Sequence, residues 1–583
     1  MSALANALDS SNFKQIGEKG HTEYSWSNNL RDKLVQLSFQ LTRTRMAGVI
    51  TKLAQVLRLF LTDLVGQHKL GALSDGEYQE LLITAYKMIG HTRDIVDGKG
   101  EYALAYMQLL VWYEVFPNLA VYALCLFVSF PEGAHPYGSW KDIKYFCNYC
   151  RDHGLPISHP LLQTSFQLLN RQIFKDSNAS SKTLAGKWAA REKCTKFGWI
   201  FEQLAYSYFE HYLKTAKTDS SRAAAQKKCK MEYRKLCSRL NKELGTTQIL
   251  QCSNRWAEID HSKTTSITNA KQKKAFLNLT KENTQRTELE DRIQCAENFK
   301  ARIRKAVEGE VEIKGKRVGL TAFTVQALEL LHQCNSEEVQ IQKDLLNSQW
   351  RDNATQTGAL TSMLAMCDFS GSMNGDPLHA CMALGIRVAE KSILGKRVLS
   401  FSENPTWHNL DGCSNFVEMV AVLERGEVGY STNFHKAFDT ILDAIIEKKL
   451  TPNQVSNMVL AIFSDMQIDD AEIMAGRTTD PDALYESIAK KYAAAGMRIH
   501  GVPFTPPHIL FWNLRSTSGF PCLTTQKNIS MMAGFSPALL NLFCEKGIDA
   551  FKDCTPWHML VNSMENPRYQ YLEDRVKELL GTK

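Results

Sequence analysis

Near residue 355 the apolar residues change period, and that change limits the chain to a small set of folds. Beyond it the apolar runs LTSMLAM, RVLSFS, NMVLAIFSD and RIHGVPF alternate with segments of helical spacing, PLHACMALGIRVAEKS, NFVEMVAVLER, NFHKAFDTILDAIIEKK and ALYESIAKKYAAAG. Short apolar runs of this kind suit strands covered on both faces, and strand-helix alternation supplies that cover on a parallel sheet. The expectation is a doubly wound α/β domain over residues 341–583, with its ligand site beyond the carboxyl ends of the strands.

Upstream, NLRDKLVQLSFQLTR, VITKLAQVLRLFLTDLV, YQELLITAYKMIG, EYALAYMQLLVWYEVF and NLAVYALCLFVSF place apolar residues at three- and four-residue steps. Helices joined by short polar turns predict an α-helical bundle or solenoid over residues 27–340, although no fixed sequence period is visible. One exception is EVEIKGKRVGLTA, where alternation around Gly315 predicts a small hairpin. Residues 1–26 are polar and predict a flexible arm.

With 583 residues and 44% hydrophobic content the chain has ample core for two or more domains. It contains no apolar run long enough to cross a membrane, and MSALANALDSSNFKQIGEKG lacks the basic and apolar regions of a signal peptide. Fifteen scattered cysteines suit reduced thiols, so the expected location is the cytoplasm. Cys147 and Cys150, with His153 behind them, lack the second ligand pair that a structural zinc needs and are expected as helical cysteines.

Charge is divided unevenly. Of 69 Lys+Arg and 62 Asp+Glu, 22 and 27 fall in 341–583, net −5, and 47 and 35 before it, net +12. A basic part joined to an acidic one suits polyanion binding by the first, and solvated helix faces give the same count.

Directly after LTSMLAM comes CDFSGSMNG, which sets Asp368, Ser370 and Ser372 at alternate positions. A carboxylate and two hydroxyls on one loop match the oxygen ligands of a hard divalent cation such as Mg2+ or Mn2+. Thr432 in GYSTNF and Asp465 at the end of NMVLAIFSD fall on the same rim of a doubly wound sheet. A polar turn capping the next helix accounts for one or two of these five residues. No G-x-S-x-G elbow or P-loop is present, so the cation is read as binding and the protein as non-enzymatic.

This order, D-x-S-x-S, then Thr, then Asp at a strand end, resembles the metal-ion-dependent adhesion site of von Willebrand factor A domains, where an open position on the metal takes a ligand carboxylate or water. TRDIVDGKGEYALAYMQLL, HPYGSWKDIKYF, LAGKWAAREKCTKFGWIFEQLA, MEYRKLCSRLNKEL and NRWAEIDHSK resemble the TROVE module of the Ro ribonucleoprotein family. With LNSQWRDN, PHILFWNLRS and MMAGFSPALL they look closer still to domain of unknown function 2828, a family of eukaryotes and giant DNA viruses, and the alternative location that this resemblance implies is a virion if the source is a giant virus.

The resemblance implies a ring of HEAT-like helical repeats joined to a metal-binding A domain, with small or misfolded RNA as the partner of the ring. TTSITNAKQKKAF lacks the Pro-Ser step of relatives, so no RNA contact is carried over by position. Charge alone nominates Lys187, Arg191, Lys193, Lys196, Arg234, Lys235, Lys271, Lys273 and Lys274 for phosphates, and Trp188 or Trp199 for stacking on bases. The other class of function is a protein-interaction scaffold, in which a partner's Asp or Glu completes the metal's coordination.

Overall fold

The computed structural model describes residues 14–17, 22–360, 362–426, 429, 434–467, 484–545 and 553–581. Where the sequence predicts a flexible arm, Lys14–Ile16 (β1) and Thr22–Tyr24 (β2) pair antiparallel. Tyr24 is the reason: its buried ring joins the α/β core, its N–H donates to the Phe520 carbonyl, and its hydroxyl donates to Glu486.

The C-terminal sheet contains Met363–Asp368 (β3), Arg397–Phe401 (β4), Thr406–Asn409 (β5), Val459–Ser464 (β6), His508–Asn513 (β7) and Ile529–Ala533 (β8). Their order is β5-β4-β3-β6-β7-β8, parallel throughout except for β5 on β4. Every residue of β3, β6, β7 and β8 is buried, so both faces of the sheet are covered.

Alternate residues go to opposite faces. Ala365, Cys367, Ala461, Phe463 and Trp512 meet the helices Asp376–Lys391 and Phe416–Glu424, while Leu364, Met366, Leu460, Ile462 and Phe511 meet Phe434–Glu447 and Leu484–His500. A Cβ at Gly385 would lie 2.5 Å from the Cys367 Sγ, so only glycine lets its helix sit this close to β3.

Two sequence expectations are corrected. RIHGVPF is not a strand: Ile499 packs on the same core as Ala495, four residues earlier, and the helix Leu484–His500 ends before Gly501 at φ 71°. Helical spacing prevails there, and the strand is the next apolar run, β7. EVEIKGKRVGLTA forms no hairpin either. The Gly315 N–H donates to Asp352 and the Lys314 carbonyl accepts from Gln349, so side chains of the Glu337–Ala354 helix take the hydrogen bonds a partner strand would supply. A Cβ on Gly315 would lie 1.8 Å from the Gln349 carbonyl oxygen.

Packing does not follow chain order. Phe323, Leu346 and Trp350 belong to the core on one face of the sheet, while Trp557, Leu560, Tyr569 and Leu572, near the chain end, join the core of the helical part. Arg387, fully buried, lies under the Trp350 ring at 4.1 Å and donates to Asn353, tying the Glu337–Ala354 helix to the sheet.

Candidate metal centre and basic face

β3 and β6 are neighbours with Cys367 opposite Phe463, so Asp368 at the end of one and Asp465 just past the other emerge side by side on the carboxyl rim. Both carboxylates are fully buried. One Asp368 oxygen accepts the Ser370 N–H at 2.8 Å, and the other accepts the Ser464 hydroxyl at 2.6 Å. The Ser370 and Ser372 hydroxyl oxygens are 3.0 Å apart. Asp465 accepts the Gln467 N–H at 3.2 Å and faces the Arg515 guanidinium at 3.9 Å.

Burial, and after it the Asp465 charge, push Asp368 up to about 7. The chemistry of this donor set fits a hard cation: two adjacent buried anions repel each other, and a divalent ion held between them with hydroxyl oxygens removes the repulsion. Asp368, Ser370, Ser372 and Asp465 are the described residues that would hold Mg2+ or Mn2+. Thr432 lies outside the described residues. Among the described residues no group of three or more His, Cys, Asp and Glu side chains is arranged to hold a metal ion, and two of the four oxygen-bearing residues at this rim are serines. Cys147 and Cys150 are buried in the helix Lys141–Asp152, where burial pushes the Cys147 thiol up to about 12.

The nine nominated cations do not act alike. Lys187 is half-buried, and Arg191, Lys193, Lys196 and Lys271 are exposed. Arg234 is paired with Glu192 at 2.6 Å, and Lys235 with Glu232 at 3.2 Å. Lys273 is buried against Gln326 and brought down to about 8 by desolvation, while Lys274 donates to the Lys281 carbonyl.

Lys141, Lys144, Tyr145 and Phe197 complete a cluster that charge counting missed. The ammonium groups of Lys141, Lys144 and Lys187 lie 5.9, 4.8 and 5.8 Å from the Trp188 ring centre. Lys141 is 4.8 Å from the Tyr145 ring, and Lys144 and Lys196 are 5.5 and 5.6 Å from the Phe197 ring. The Tyr145 and Phe197 rings meet at 5.2 Å, and Tyr102, 56% exposed, extends the aromatic surface.

Desolvation, followed by Lys271 for Lys141 and by Lys141 for Lys144, lowers both lysines. Among the described residues none of Lys141, Lys144, Lys187, Arg191, Lys193, Lys196 and Lys271 pairs with a carboxylate; nearby Asp142 and Glu192 are committed to Arg93 and Arg234. The signal in the sequence was W-K-D-I-K-Y, which puts Lys141 and Lys144 on one helix face beside Tyr145. Trp199 packs edge-on against Phe166 with Arg151 over it, a helix-packing role.

Fold and rim together define a two-part protein, a helical part carrying a mixed, mainly parallel α/β domain. The sequence matches the family described as Domain of unknown function (DUF7788) over residues 362–574. An uncharacterized protein of Acanthamoeba polyphaga mimivirus is 27% identical over 497 residues, covering 82% of this chain and 79% of that one. Among solved structures, the RO (RSR) protein of Deinococcus radiodurans aligns over 88% of this chain and 99% of its own, at 11% identity and a TM-score of 0.33. Among the described residues no helix is long and apolar enough to cross a membrane.

Proposed function

We propose that this is a non-enzymatic RNA-binding protein whose helical part takes the nucleic acid and whose α/β rim holds a divalent cation. The observation that carries the reading is the set of lysines without acidic partners around Tyr145, Trp188 and Phe197. Cations left unpaired so close together repel one another and gain most from a polyanion, while flat half-buried rings accept unpaired bases. The net charge of +12 before residue 341 and the sequence resemblance to the TROVE module support the same reading.

Binding of single-stranded and hairpin RNA by the full chain, measured across salt concentrations, tests it. The expected result is a logarithmic salt slope of about −0.7 for each single-stranded phosphate contacted. Absence of binding at low salt would refute it.

The cation is tested separately. Mg2+ or Mn2+ is expected to raise the unfolding temperature, with a stabilisation of about 2.7 kcal/mol at one hundred times the dissociation constant. Asp368→Asn, which keeps the side chain's shape and an acceptor for the Ser370 N–H, is expected to abolish that response. An equal metal response in wild type and variant would rule out this site.

A further inference from the structure

A cleft of 410 Å³ runs beside the rim, between the helical part and the α/β domain. Its walls carry Arg43, Arg45 and Met46 from one side and Gly375, Arg515 and Phe535 from the other. The three arginines are held to different degrees. Arg43 is fixed by Glu101 at 2.8 Å and lies over the Phe535 ring at 4.7 Å. Arg45 meets Asp376 at 3.0 Å with its side chain 87% exposed, the kind of surface pair that contributes little and opens easily.

Arg515 donates to the Ser372 carbonyl at 2.8 Å and stands 3.9 Å from Asp465, which leaves donors of its five-donor fork to the cleft it lines. Gly375, Asp376 and Pro377 line the cleft, so the helix Asp376–Lys391 begins there, with no side-chain cap on its first turn.

We propose that this cleft binds a phosphate group through Arg45 and Arg515, and that the cation of the adjacent rim strengthens its hold. The second part rests on the cation reading above. Guanidinium groups carried on opposite walls suit a tetrahedral anion with several free oxygens better than a flat carboxylate, and Arg forks match phosphate geometry, with the Asp376 carboxylate that also lines the cleft held by Arg45. The cleft is larger than a lone phosphate, and Met46, 60% exposed, offers an apolar surface to a group attached to it.

Titration calorimetry of the full chain with inorganic phosphate, with and without Mg2+, tests the proposal. Phosphate is expected to tighten Mg2+ binding about tenfold, within the usual range of coupling between sites, and Mg2+ to tighten phosphate equally. In Arg45→Ala, Arg515→Ala the coupling is expected to vanish, while Mg2+ alone binds at least as tightly because a positive charge beside Asp465 is gone.

If Mg2+ binds wild type and phosphate leaves its affinity unchanged, the proposal falls and the cation reading stands. If Mg2+ fails to bind but phosphate binds with dependence on Arg45 and Arg515, the cation reading falls and the anion site stands. If neither binds, both fall. Acetate equalling phosphate would overturn the assignment in favour of a carboxylate. A 5′-phosphorylated ribo-oligonucleotide binding tighter than its 5′-hydroxyl twin would place the phosphate on RNA; a nucleoside monophosphate with the same effect would place it on a free nucleotide.

Discussion

Asp142→Ala is expected to destabilise the helical part by about 3–5 kcal/mol, the loss typical of breaking a buried ion pair by removing one partner. Asp142 accepts two hydrogen bonds from Arg93 at 2.7 Å, one from the Tyr106 hydroxyl at 2.6 Å and one from the Ser139 N–H at 2.8 Å. The side chains of Arg93 and Asp142 are only 9% and 3% exposed, so alanine leaves a buried guanidinium without its hydrogen-bonded counter-charge, with Glu101 the more distant acidic group acting on it. A Cβ on Gly138 would lie 2.5 Å from Asp142, so the site has little room to rearrange.

The measurement is urea unfolding of the full chain together with hydrogen exchange across residues 141–152. A loss below about 1 kcal/mol would place the pair with exposed surface bridges and overturn the expectation. Arg93→Leu combined with Asp142→Leu is expected to lose less than Asp142→Ala alone, because no charge is left stranded.

That network explains what the segments TRDIVDGKG and SWKDIKYF do. Arg93 holds Asp142, and Asp94 holds Arg568 from the chain end at 2.7 Å. These motif residues are structural. Through them Lys141, Lys144 and Tyr145 are held on the first turns of a fixed helix, so the basic face depends on an ion pair that touches no ligand.

The α/β domain was legible because its signal is local. Three of the four expected strands, β3, β4 and β6, and all four helices appear where periodicity put them, and Asp368 and Asp465 share the expected rim. RIHGVPF failed because its run is too short for alternation to compete with a helix already carried forward by packing at Ala495 and Ile499. Arg515 was not legible, since its closeness to Asp465 follows from β7 lying beside β6 and not from any spacing in the chain.

The same limit applies to the basic face. Sequence counts charges but not their partners: Arg234 looks as available as Lys196 until Glu192 is seen beside it, and Lys273 as exposed as Lys271 until its helix turns it inward. The return of Trp557 and Tyr569 to the helical core is likewise long-range, and no local pattern encodes it.

Two substitutions on the basic face are expected to separate two kinds of contact. Trp188→Ala is expected to weaken single-stranded RNA binding by about 1–3 kcal/mol, the usual value of one stacked base, and to leave the salt slope unchanged because no charge is lost. Lys144→Gln is expected to weaken binding and also to reduce the magnitude of the slope by about 0.7, the contribution of one single-stranded phosphate. Duplex RNA, whose bases are already stacked, should respond to Lys144→Gln but hardly to Trp188→Ala. Arg234→Gln is the internal comparison: the pair with the less exposed Glu192 carboxylate, at 2.6 Å, partly balances its charge, so it should alter affinity less than Lys144→Gln. Lys144 and Trp188 are 4.8 Å apart, ammonium to ring centre, so their effects are expected to be non-additive in the double variant. Equal losses from Arg234→Gln and Lys144→Gln would mean that RNA senses only the net charge of the helical part, and the aromatic cluster would then be packing alone.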